Sequence, residues 1–381
     1  MDILIFSAIY PAPADYKIPN DTKVVHYYAK QWKDEGHNVQ VVYLHMIPFK
    51  KMLNINNLKK LNGYEADYEF EGINVHLLEY QLLVPKTNYL TGFQAKNAEK
   101  RVEQHIAKLG FEYDKVFVHF PCSFKSVRCL TKFKCPTMAV LHNIDVQILK
   151  KKGKLVNELK PYTHIGGRNK KICDAVSKFL SRESDMVLSG IDESLIAPFD
   201  LVEKKASSIT DVIKIVYAGN LIKLKNVDIL LKALSKVDFE YQCDIIGDGV
   251  EREYLQSMVE NNSKIAFRGR MSRQETINKM RDANIFVMVS SPETFGLVYL
   301  EAMAQGCIVI GSKNEGIDGV IIDGKNGFLV EPRNIDELVE CLNRINAMRI
   351  SEKKTLIFSA YQNVVEMTDA NMAKKYLQLN K

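Results

Sequence analysis

The sequence predicts an α/β protein built from two doubly wound domains, each with a parallel sheet. Short runs rich in Val and Ile alternate with longer amphipathic stretches along the chain, as in β-α-β architecture. The alternation restarts from a fresh strand at Val212, which indicates a second domain. The length of 381 residues allows about two to three domains of ordinary size.

The elements of the first half follow from apolar spacing. Residues 2–8 are expected to form a buried strand and 39–44 a second one, because both are short apolar runs. Between them, residues 22–35 carry apolar side chains at helical spacing and end at Gly36, so a helix is expected there.

The second half repeats the pattern more regularly. Strands are expected at 213–219, 241–247, 264–269, 284–290 and 307–311, with helices at 227–237, 250–260, 272–282 and 296–305. The stretch 195–211 is polar and irregular in pattern, which places the domain boundary there. We therefore expect a first domain at 1–200 and a second at 205–354, with a C-terminal helix at about 355–381 packing back on the first.

Composition excludes several classes of protein. Hydrophobic residues make up 46% and charged residues 26%, so a folded core is expected. No run approaches the ~18 apolar residues of a membrane span, and the N-terminus, with an acid at Asp2 and no basic region, is unlike a signal peptide. The seven cysteines form no C-x-x-C pair. Reduced thiols and a cytoplasmic location are expected.

The positive charge is concentrated in the first half of the chain. Residues 1–200 contain 28 Lys and Arg against 22 Asp and Glu, a balance of +6, and the whole chain has 52 against 46. The remainder, 24 against 24, is neutral. An anionic partner of the first half is therefore expected.

The stretch 284–312 carries residues suited to chemistry. A buried strand is followed by Glu293 and then by a helix that opens at Gly296, Leu297 and Val298. The first N–H groups of a helix and its dipole attract an anion. Glu301, about one turn further on, is placed to accept hydrogen bonds from ribose hydroxyls. The plain alternative is a pair of surface glutamates eight residues apart.

These residues resemble a known signature. Glu293 and Glu301 with seven residues between them, inside SSPETFGLVYLEAMAQG, resemble the motif of family 4 glycosyltransferases. Further segments agree in order: Ala218-Gly219-Asn220-Leu221 with Lys225-Asn226, Ile246-Gly247-Asp248-Gly249, Phe267-Arg268-Gly269-Arg270, Asn314-Glu315-Gly316-Ile317 and Asp323-Gly324-Lys325-Asn326-Gly327. The resemblance covers nearly all of 212–335. It implies the GT-B fold, in which two Rossmann-like domains face each other across the active-site cleft.

The resemblance implies a set of donor-binding residues. They are Gly219, Asn220, Lys225, Gly247, Arg268, Gly269, Arg270, Glu293, Phe295, Gly296, Leu297, Val298 and Glu301. One position departs from the family, which usually has an arginine where Asn220 stands. Asparagine cannot clamp a diphosphate with two charged bonds, so Lys225 is expected to carry most of that charge. The alternative for Lys225 is an ordinary surface lysine.

The first domain matches the family more loosely. His119, in DKVFVHF, resembles the second of two family histidines and is expected near the anomeric carbon, although Phe117 replaces the first. His142, in LHNID, resembles the next histidine turn. For both histidines the alternative is a hydrogen-bonded core residue. Tyr16 and Asn20 lie in YPAPADYKIPNDT, which lacks the family's glycine pair, and are expected on the acceptor side.

The resemblance also implies the reaction. A sugar is transferred from a nucleoside-diphosphate sugar to a hydroxyl of a glycan or lipid-linked acceptor, with retention of configuration, in bacterial surface polysaccharide or glycolipid synthesis. His119, Glu293 and Lys225 are the implied catalytic residues. The family is thought to react on one face, with the departing phosphate oxygen taking the acceptor proton. A UDP-sugar is favoured as donor, and no cofactor or metal is expected.

Other classes of protein remain as alternatives. A nucleotide-sugar epimerase or hydrolase of the same fold would act on the donor without an acceptor. A nicotinamide enzyme would need a G-x-G-x-x-G turn, and the sequence has none after its first strand. A nucleic-acid-binding module would explain the positive half, but its basic segments lack interleaved aromatic residues.

Two basic segments suggest a membrane surface as a partner. Residues 48–61 carry four lysines and no acid among apolar side chains, and residues 115–154 carry nine Lys or Arg against Asp145 alone. Basic side chains near anionic lipid each add about 1 kcal/mol. We therefore expect peripheral attachment at the inner face of the plasma membrane, with an ordinary solvated surface as the alternative.

Overall fold

The computed structural model describes residues 1–16, 18, 23–51, 55–84, 90, 92–110, 112–124, 133–151, 153–208, 212–260 and 262–379. Its contacts divide the chain into two units. Unit 1 comprises Met1–Arg168, Ile172–Leu188 and Met372–Lys381, and unit 2 comprises Asn169–Lys171 and Ser189–Asn371. Each unit has its own sheet.

Unit 1 is built on an eight-stranded sheet. Its strands are β1 Asp2–Ser7, β2 Asn38–Ile47, β3 Tyr64–Phe70, β4 Ile73–Gln81, β5 Lys115–His119, β6 Thr137–Leu141, β7 His164–Gly167 and β8 Asp185–Met186. Their order is β3-β4-β2-β1-β5-β6-β7-β8. Only the β3–β4 pair among these strands is antiparallel. The central strands are apolar on both faces because helices cover both sides of a parallel sheet.

The helices of unit 1 follow the strands in the chain. They are α1 Val24–Asp34, α2 Ile55–Leu58, α3 Gly92–Leu109, α4 Asn143–Lys151, α5 Val156–Leu159 and α6 Lys170–Leu180. The predicted helix at 22–35 is confirmed, with its apolar residues Val25, Tyr28, Ala29 and Trp32 buried.

Unit 2 has a six-stranded parallel sheet. Its strands are β9 Ile213–Ala218, β10 Tyr241–Ile246, β11 Ile265–Gly269, β12 Ile285–Val287, β13 Ile308–Ser312 and β14 Phe328–Val330. Their order is β11-β10-β9-β12-β13-β14, which is the 3-2-1-4-5-6 order of a Rossmann fold. The sheet order reverses between β9 and β12, and ligands of such sheets bind beyond the carboxyl ends of the strands at that point.

The helices of unit 2 are α7 Phe199–Ser207, α8 Val227–Leu234, α9 Arg252–Ser257, α10 Arg273–Asp282, α11 Leu297–Ala304, α12 Ile335–Ala347 and α13 Ile350–Val365. The strands and helices predicted between 213 and 311 are all present, with ends shifted by a few residues. The predicted α/β class with two doubly wound domains is therefore confirmed.

The expected domain boundary at 195–211 is wrong. Helix α7 lies in that stretch and belongs to unit 2, and the chain passes from unit 1 to unit 2 at Leu188 and Ser189 instead. Val202 and Ala206, one turn apart, are buried. The charged residues on the opposite face of this short helix obscure its apolar stripe in the sequence.

The C-terminal segment is two helices rather than the expected single one at 355–381. Helix α13 packs on α7 and α11 within unit 2, and a second helix, α14 Asp369–Leu379, follows. The chain returns to unit 1 at Met372, where Trp32 Nε1 donates to the carbonyl of Ala373 over 2.9 Å. No helix in the described part of the chain is long and apolar enough to cross a membrane.

Candidate active site

A cavity of about 610 Å³ lies at the carboxyl ends of β9, β10, β11 and β12 in unit 2, within the usual range of small-molecule sites. Nine of the predicted donor-binding residues line it: Gly219, Asn220, Lys225, Gly247, Arg270, Gly296, Leu297, Val298 and Glu301. They come from loops after four strands. The sheet therefore gathers these residues at the point where its strand order reverses.

Two glycines let the loops after β9 and β10 touch each other. Gly247 has φ +132°, and a Cβ built on it would lie 1.9 Å from the carbonyl oxygen of Gly219. No side chain fits in that contact, so glycine is required at 247. The backbone is thereby exposed to whatever enters the cavity.

Helix α11 begins at the edge of the same cavity. Gly296 precedes it with φ +82°, and a Cβ there would meet the ring of Tyr299 at 2.7 Å. The N–H groups of Leu297 and Val298 belong to the first turn, where no acceptor exists within the helix. Together with the helix dipole they favour an anion at this place.

Lys225 and Glu293 form an ion pair beside the cavity. Lys225 Nζ lies 2.5 Å from Glu293 Oε2. Ser290 Oγ donates to the same oxygen over 3.0 Å, and the Thr294 N–H donates to Oε1 over 3.0 Å. Both side chains are mostly buried, at 22% and 13% exposure. The predicted phosphate-binding and sugar-binding residues are thus coupled to each other.

Glu315 holds the backbone at Glu293 in place. Its Oε2 accepts the Glu293 N–H over 2.9 Å, and its Oε1 accepts from Ser291 Oγ over 2.8 Å and from Lys171 Nζ over 2.9 Å. Glu315 is buried. The turn that carries it lies tightly against the segment that precedes α11, since a Cβ on Gly316 would be 2.4 Å from the backbone nitrogen of Phe295.

Glu301 is paired with an arginine that sequence reasoning missed. Arg273 Nη2 and Nε donate to Glu301 Oε1 over 2.7 and 3.1 Å. Arg273 is the first residue of α10, whose start is marked by a capping box between Ser272 and Glu275. That box is readable in the sequence. It places Arg273 in the first turn of α10, which follows β11 at the cavity.

Arg268 and Arg270 lie in different places, although both were predicted to bind the donor. Arg270 lines the cavity, and the structure records no ion pair to it within the described residues. Arg268 Nε donates to Asp244 Oδ1 over 2.6 Å and lines a separate pocket with Lys279. The structure therefore places Arg268, which lies within β11 and is paired with Asp244, away from the cavity, whereas Arg270 follows the end of the strand and lines it.

Two other predicted donor residues have structural roles. The carbonyl of Gly269 accepts the N–H of Gly247 over 2.8 Å, which joins the ends of β11 and β10. Phe295 is buried, at 5% exposure, and does not line the cavity. Both residues support the walls of the cavity, and neither is placed by this structure against a ligand.

Asn220 lies at the cavity with its side chain exposed. Its carbonyl accepts a hydrogen bond from Tyr217 Oη over 3.0 Å. Burial raises the pKa of Tyr217 well above its usual range, with the Glu293 carboxylate as a smaller cause. The phenol therefore stays protonated and fixes the loop. The cations that line the cavity are Lys225, Arg270 and Arg273.

His119 lies in the core of unit 1, contrary to its assigned place near a sugar. It is 1% exposed, and both ring nitrogens have partners: Nε2 meets Tyr376 Oη at 3.1 Å and Nδ1 meets His142 Nε2 at 3.3 Å. It ends β5 on the face where α1 and α14 pack. Burial lowers its pKa to about 3, with the charge of Arg168 as a lesser cause. The core-histidine alternative describes it.

His142 belongs to the same buried cluster. The ring of Phe120 stacks on it with centroids 3.7 Å apart, and burial, then His119 and Arg168, lower its pKa. The carboxylate of Asp145 accepts hydrogen bonds from the backbone N–H groups of His142 and Cys122 over 2.8 and 2.9 Å. Burial raises the pKa of Asp145 to about 7. His142 therefore lies in a buried turn at the start of α4 and forms part of the core of unit 1.

Of the two remaining acceptor-side residues, Tyr16 is half-buried. It ends a short 3₁₀ turn, Ala14–Tyr16, and its ring lies 5.1 Å from that of Tyr68. Asn20 lies outside the described residues. The group of described side chains with metal-ligand geometry also belongs to unit 1, at Asp67, His76 and His105, and does not line the cavity of unit 2.

The fold is shared with solved glycosyltransferases. The lipopolysaccharide outer core galactosyltransferase WaaB is similar with a TM-score of 0.70 at 16% identity, covering 100% of this chain and 99% of that one. The HepE protein of Anabaena, solved with UDP and glucose, is similar with a TM-score of 0.64 at 18% identity, covering 99% and 98%. The architecture is thus the GT-B fold.

Sequence comparison supplies the family. Residues 200–361 match the model of the glycosyl transferases group 1 family. A glycosyltransferase of Methanocaldococcus jannaschii is 28% identical over 282 residues, which cover 73% of this chain and 76% of that protein. Residues 200–361 are therefore similar to the glycosyl transferases group 1 family, in agreement with the resemblance carried by the glutamate pair and the glycine loops.

Proposed function

We propose that this enzyme is a retaining hexosyltransferase of family 4. It transfers a sugar from a nucleoside-diphosphate sugar to a hydroxyl of a glycan or lipid-linked acceptor. The observation that carries the proposal is the convergence of Lys225, Arg270, Glu301 and the first turn of α11 on one cavity. These groups offer cations for a diphosphate, N–H groups for its oxygens and a carboxylate for a ribose.

The donor is held along its length by different groups. Lys225, Arg270 and the first N–H groups of α11 bind the diphosphate, and Glu301, oriented by Arg273, accepts from the ribose hydroxyls. Glu293, held by Ser290 and by the Thr294 N–H, accepts hydroxyls of the donor sugar. Positive charge at the diphosphate stabilises the leaving group as the glycosidic bond breaks.

The proposed chemistry needs no enzyme nucleophile. The oxygen of the departing diphosphate takes the proton of the acceptor hydroxyl on the face that the leaving group vacates, and configuration is retained. The residues of the site supply position and charge stabilisation. Glu293 is tied to Lys225 at 2.5 Å, which suits a binding and orienting role. His119 is left out of this scheme because it is buried and hydrogen-bonded.

UDP is the proposed nucleotide, and two neighbouring arginines make a matched test of the donor site. Calorimetry should show that Arg270→Met weakens UDP binding by about tenfold or more, since a hydrogen bond to a charged group contributes about 1.5–3 kcal/mol. Arg268→Met, two residues away in another pocket, should bind UDP like the parent protein. Equal losses in both variants, or no loss in Arg270→Met, would contradict the proposed donor site.

Enzyme assays separate transfer from the alternative of an epimerase or hydrolase. With UDP-sugars alone, donor consumption should be slow, and a glycan or lipid-linked acceptor should accelerate it. The anomeric configuration of the product, read by NMR coupling constants, should match that of the donor. Rapid acceptor-free hydrolysis or epimerisation would reject transfer, and an inverted product would reject retention.

The acceptor and its location are proposed from the charge of unit 1 and from the name of WaaB, a lipopolysaccharide enzyme. Lys51 and Lys59 are exposed, and Leu58 between them is 39% exposed. Residues 52–54 and 125–132 of the basic segments lie outside the described residues. We propose that the enzyme works in the cytoplasm, at anionic membrane surfaces. Sedimentation with anionic vesicles should show binding at low salt that weakens at high salt, and no binding at low salt would reject it.

A further inference from the structure

A cluster of two histidines and an aspartate lies at the edge of the sheet in unit 1, and none of the three residues lines the cavity of unit 2. Asp67 on β3 and His76 on β4 are directly opposite each other in the antiparallel pair. His105 comes from α3, whose buried residues include Ala98, Val102 and His105. These buried residues of α3 pack on the face of the sheet that carries Asp67 and His76. Three separate elements therefore place these side chains together.

The three ligand atoms are spaced as a small cation requires. Asp67 Oδ1 lies 3.0 Å from His76 Nδ1 and 3.3 Å from His105 Nε2, and the atoms all lie within 4.8 Å of one another. Ligands of a tetrahedral zinc ion with bonds of about 2.0–2.1 Å are about 3.3 Å apart. A modest spreading of these side chains would seat such an ion.

The surroundings leave this cluster able to bind an ion. His76 Nε2 is buried with no hydrogen-bond partner, and Nδ1 donates its proton to Asp67. When that proton moves to Nε2, the lone pair of Nδ1 becomes available to a metal. The side chain of Asp67 is 66% exposed, which provides an entry path and an open coordination position for water. Nearby, Arg101 is paired with Glu65 at 3.0 Å, which holds α3 against β3.

We propose that Asp67, His76 and His105 bind a divalent transition-metal ion of the zinc type, which fastens the β3–β4 pair to α3. Two imidazoles and one carboxylate favour zinc and its neighbours over magnesium or calcium, which prefer all-oxygen sites. Without a metal, Asp67 accepts hydrogen bonds from both rings. With one, the ion replaces the shared protons and joins the same three side chains. The site is separate from the donor cavity and takes no part in sugar transfer.

Titration of the full chain with metal ions tests this proposal. After dialysis against chelator, one equivalent of Zn²⁺ should bind in calorimetry, and Co²⁺ should give the visible absorption of a low-coordinate histidine site. Mg²⁺ should not compete. Zn²⁺ should also raise the thermal unfolding temperature. Asp67→Asn and His105→Gln should each weaken Zn²⁺ binding by at least about tenfold and abolish that rise.

A matched control distinguishes this site from adventitious binding. His37, a histidine beside Glu35 on the same unit, is changed to Gln and should leave Zn²⁺ affinity unaltered. Because the side chain of Asp67 is exposed, Asp67→Asn should fold even if His105→Gln does not. The Asp67 variant alone then tests the site. The proposal is overturned if Zn²⁺ does not bind, if Mg²⁺ competes, or if the Asp67 variant binds Zn²⁺ as tightly as His37→Gln does.

Discussion

The ammonium of Lys225 and the carboxylate of Glu293 are in direct contact, with Nζ 2.5 Å from Oε2. Lys225 lines the cavity of unit 2, so under the proposed function its charge is shared between the carboxylate and an incoming diphosphate. Sequence reasoning treats the two residues as having separate partners. The ion pair links them, and a change at one alters what the other can bind.

Glu293→Gln should lower kcat while strengthening the binding of free nucleoside diphosphate. The amide keeps the shape of the side chain but cannot stabilise positive charge on the sugar ring. It also releases Lys225 from its ion pair with Glu293, so UDP should bind several-fold more tightly. Initial rates and calorimetry measure the two effects. Weaker UDP binding would show that Glu293 itself contacts the diphosphate.

Glu301→Gln should weaken the binding of donor and of UDP alike, since the ribose does not change during the reaction. A charge-assisted hydrogen bond contributes about 1.5–3 kcal/mol, so the donor KM should rise by about tenfold or more with kcat nearly unchanged. The comparison ligand is 2′,3′-dideoxy-UDP, which lacks the two ribose hydroxyls that Glu301 is proposed to bind. If its binding falls as much as that of UDP, Glu301 acts through Arg273 and not on the ribose.

Gly247→Ala should weaken nucleotide binding, because the new Cβ would lie 1.9 Å from the Gly219 carbonyl oxygen and push the two loops apart. A displacement of this size should cost at least about tenfold in UDP affinity. Gly324→Ala is the matched control, since Gly324 also has a positive φ, +71°, but the nearest atom to its Cβ is 4.0 Å away. It should cost about 1–3 kcal/mol of stability and leave UDP binding intact. Equal UDP affinity in both variants would contradict the loop contact.

Acid should destabilise unit 1 through His119. In the unfolded chain this histidine takes up a proton near its ordinary pKa of 6.5, whereas burial, aided by the charge of Arg168, holds its folded pKa at about 3. The unfolded state therefore binds more protons below pH 6.5, and the free energy of unfolding falls as pH falls toward 3. Between pH 7.5 and 5 the loss should be about 2 kcal/mol.

His119→Gln should remove that part of the pH dependence. Urea unfolding at pH 7.5 and pH 5 measures it, with His37→Gln as a control that keeps the buried histidine. His142 stays in both variants, and its lowered pKa contributes equally. An unchanged difference between the two pH values in His119→Gln would show that His119 is not protonated on unfolding in this range.

The predictable part of the site is the part that lies on local sequence. The loops after β9, β10 and β11 and the start of α11 follow directly from strand periodicity, glycines and the spacing of Glu293 and Glu301. Parallel strands end at one edge of their sheet, so these loops meet wherever the sheet forms. That rule places Gly219, Gly247 and Gly296 at one cavity.

The errors lie where side-chain direction or distant contacts decide. Arg268 and Arg270 are both basic, but Arg268 lies within β11 and pairs with Asp244, whereas Arg270 follows the end of β11 and lines the cavity. Composition does not reveal this difference. The pairing of Arg273 with Glu301 joins residues 28 positions apart. Helix α7 was missed because only two of its residues, Val202 and Ala206, are buried.

The sequence by itself determined the α/β class and the restart of the pattern at Val212. It also predicted the resemblance to glycosyltransferases and most of the residues that line the cavity of unit 2. Each of these depends on short-range periodicity or a local motif. The tertiary structure alone decided the burial of His119 under Tyr376, 257 positions away, the Lys225–Glu293 ion pair and the meeting of Asp67, His76 and His105. Such contacts join elements far apart in the chain, and only the packed fold brings their side chains within hydrogen-bond distance.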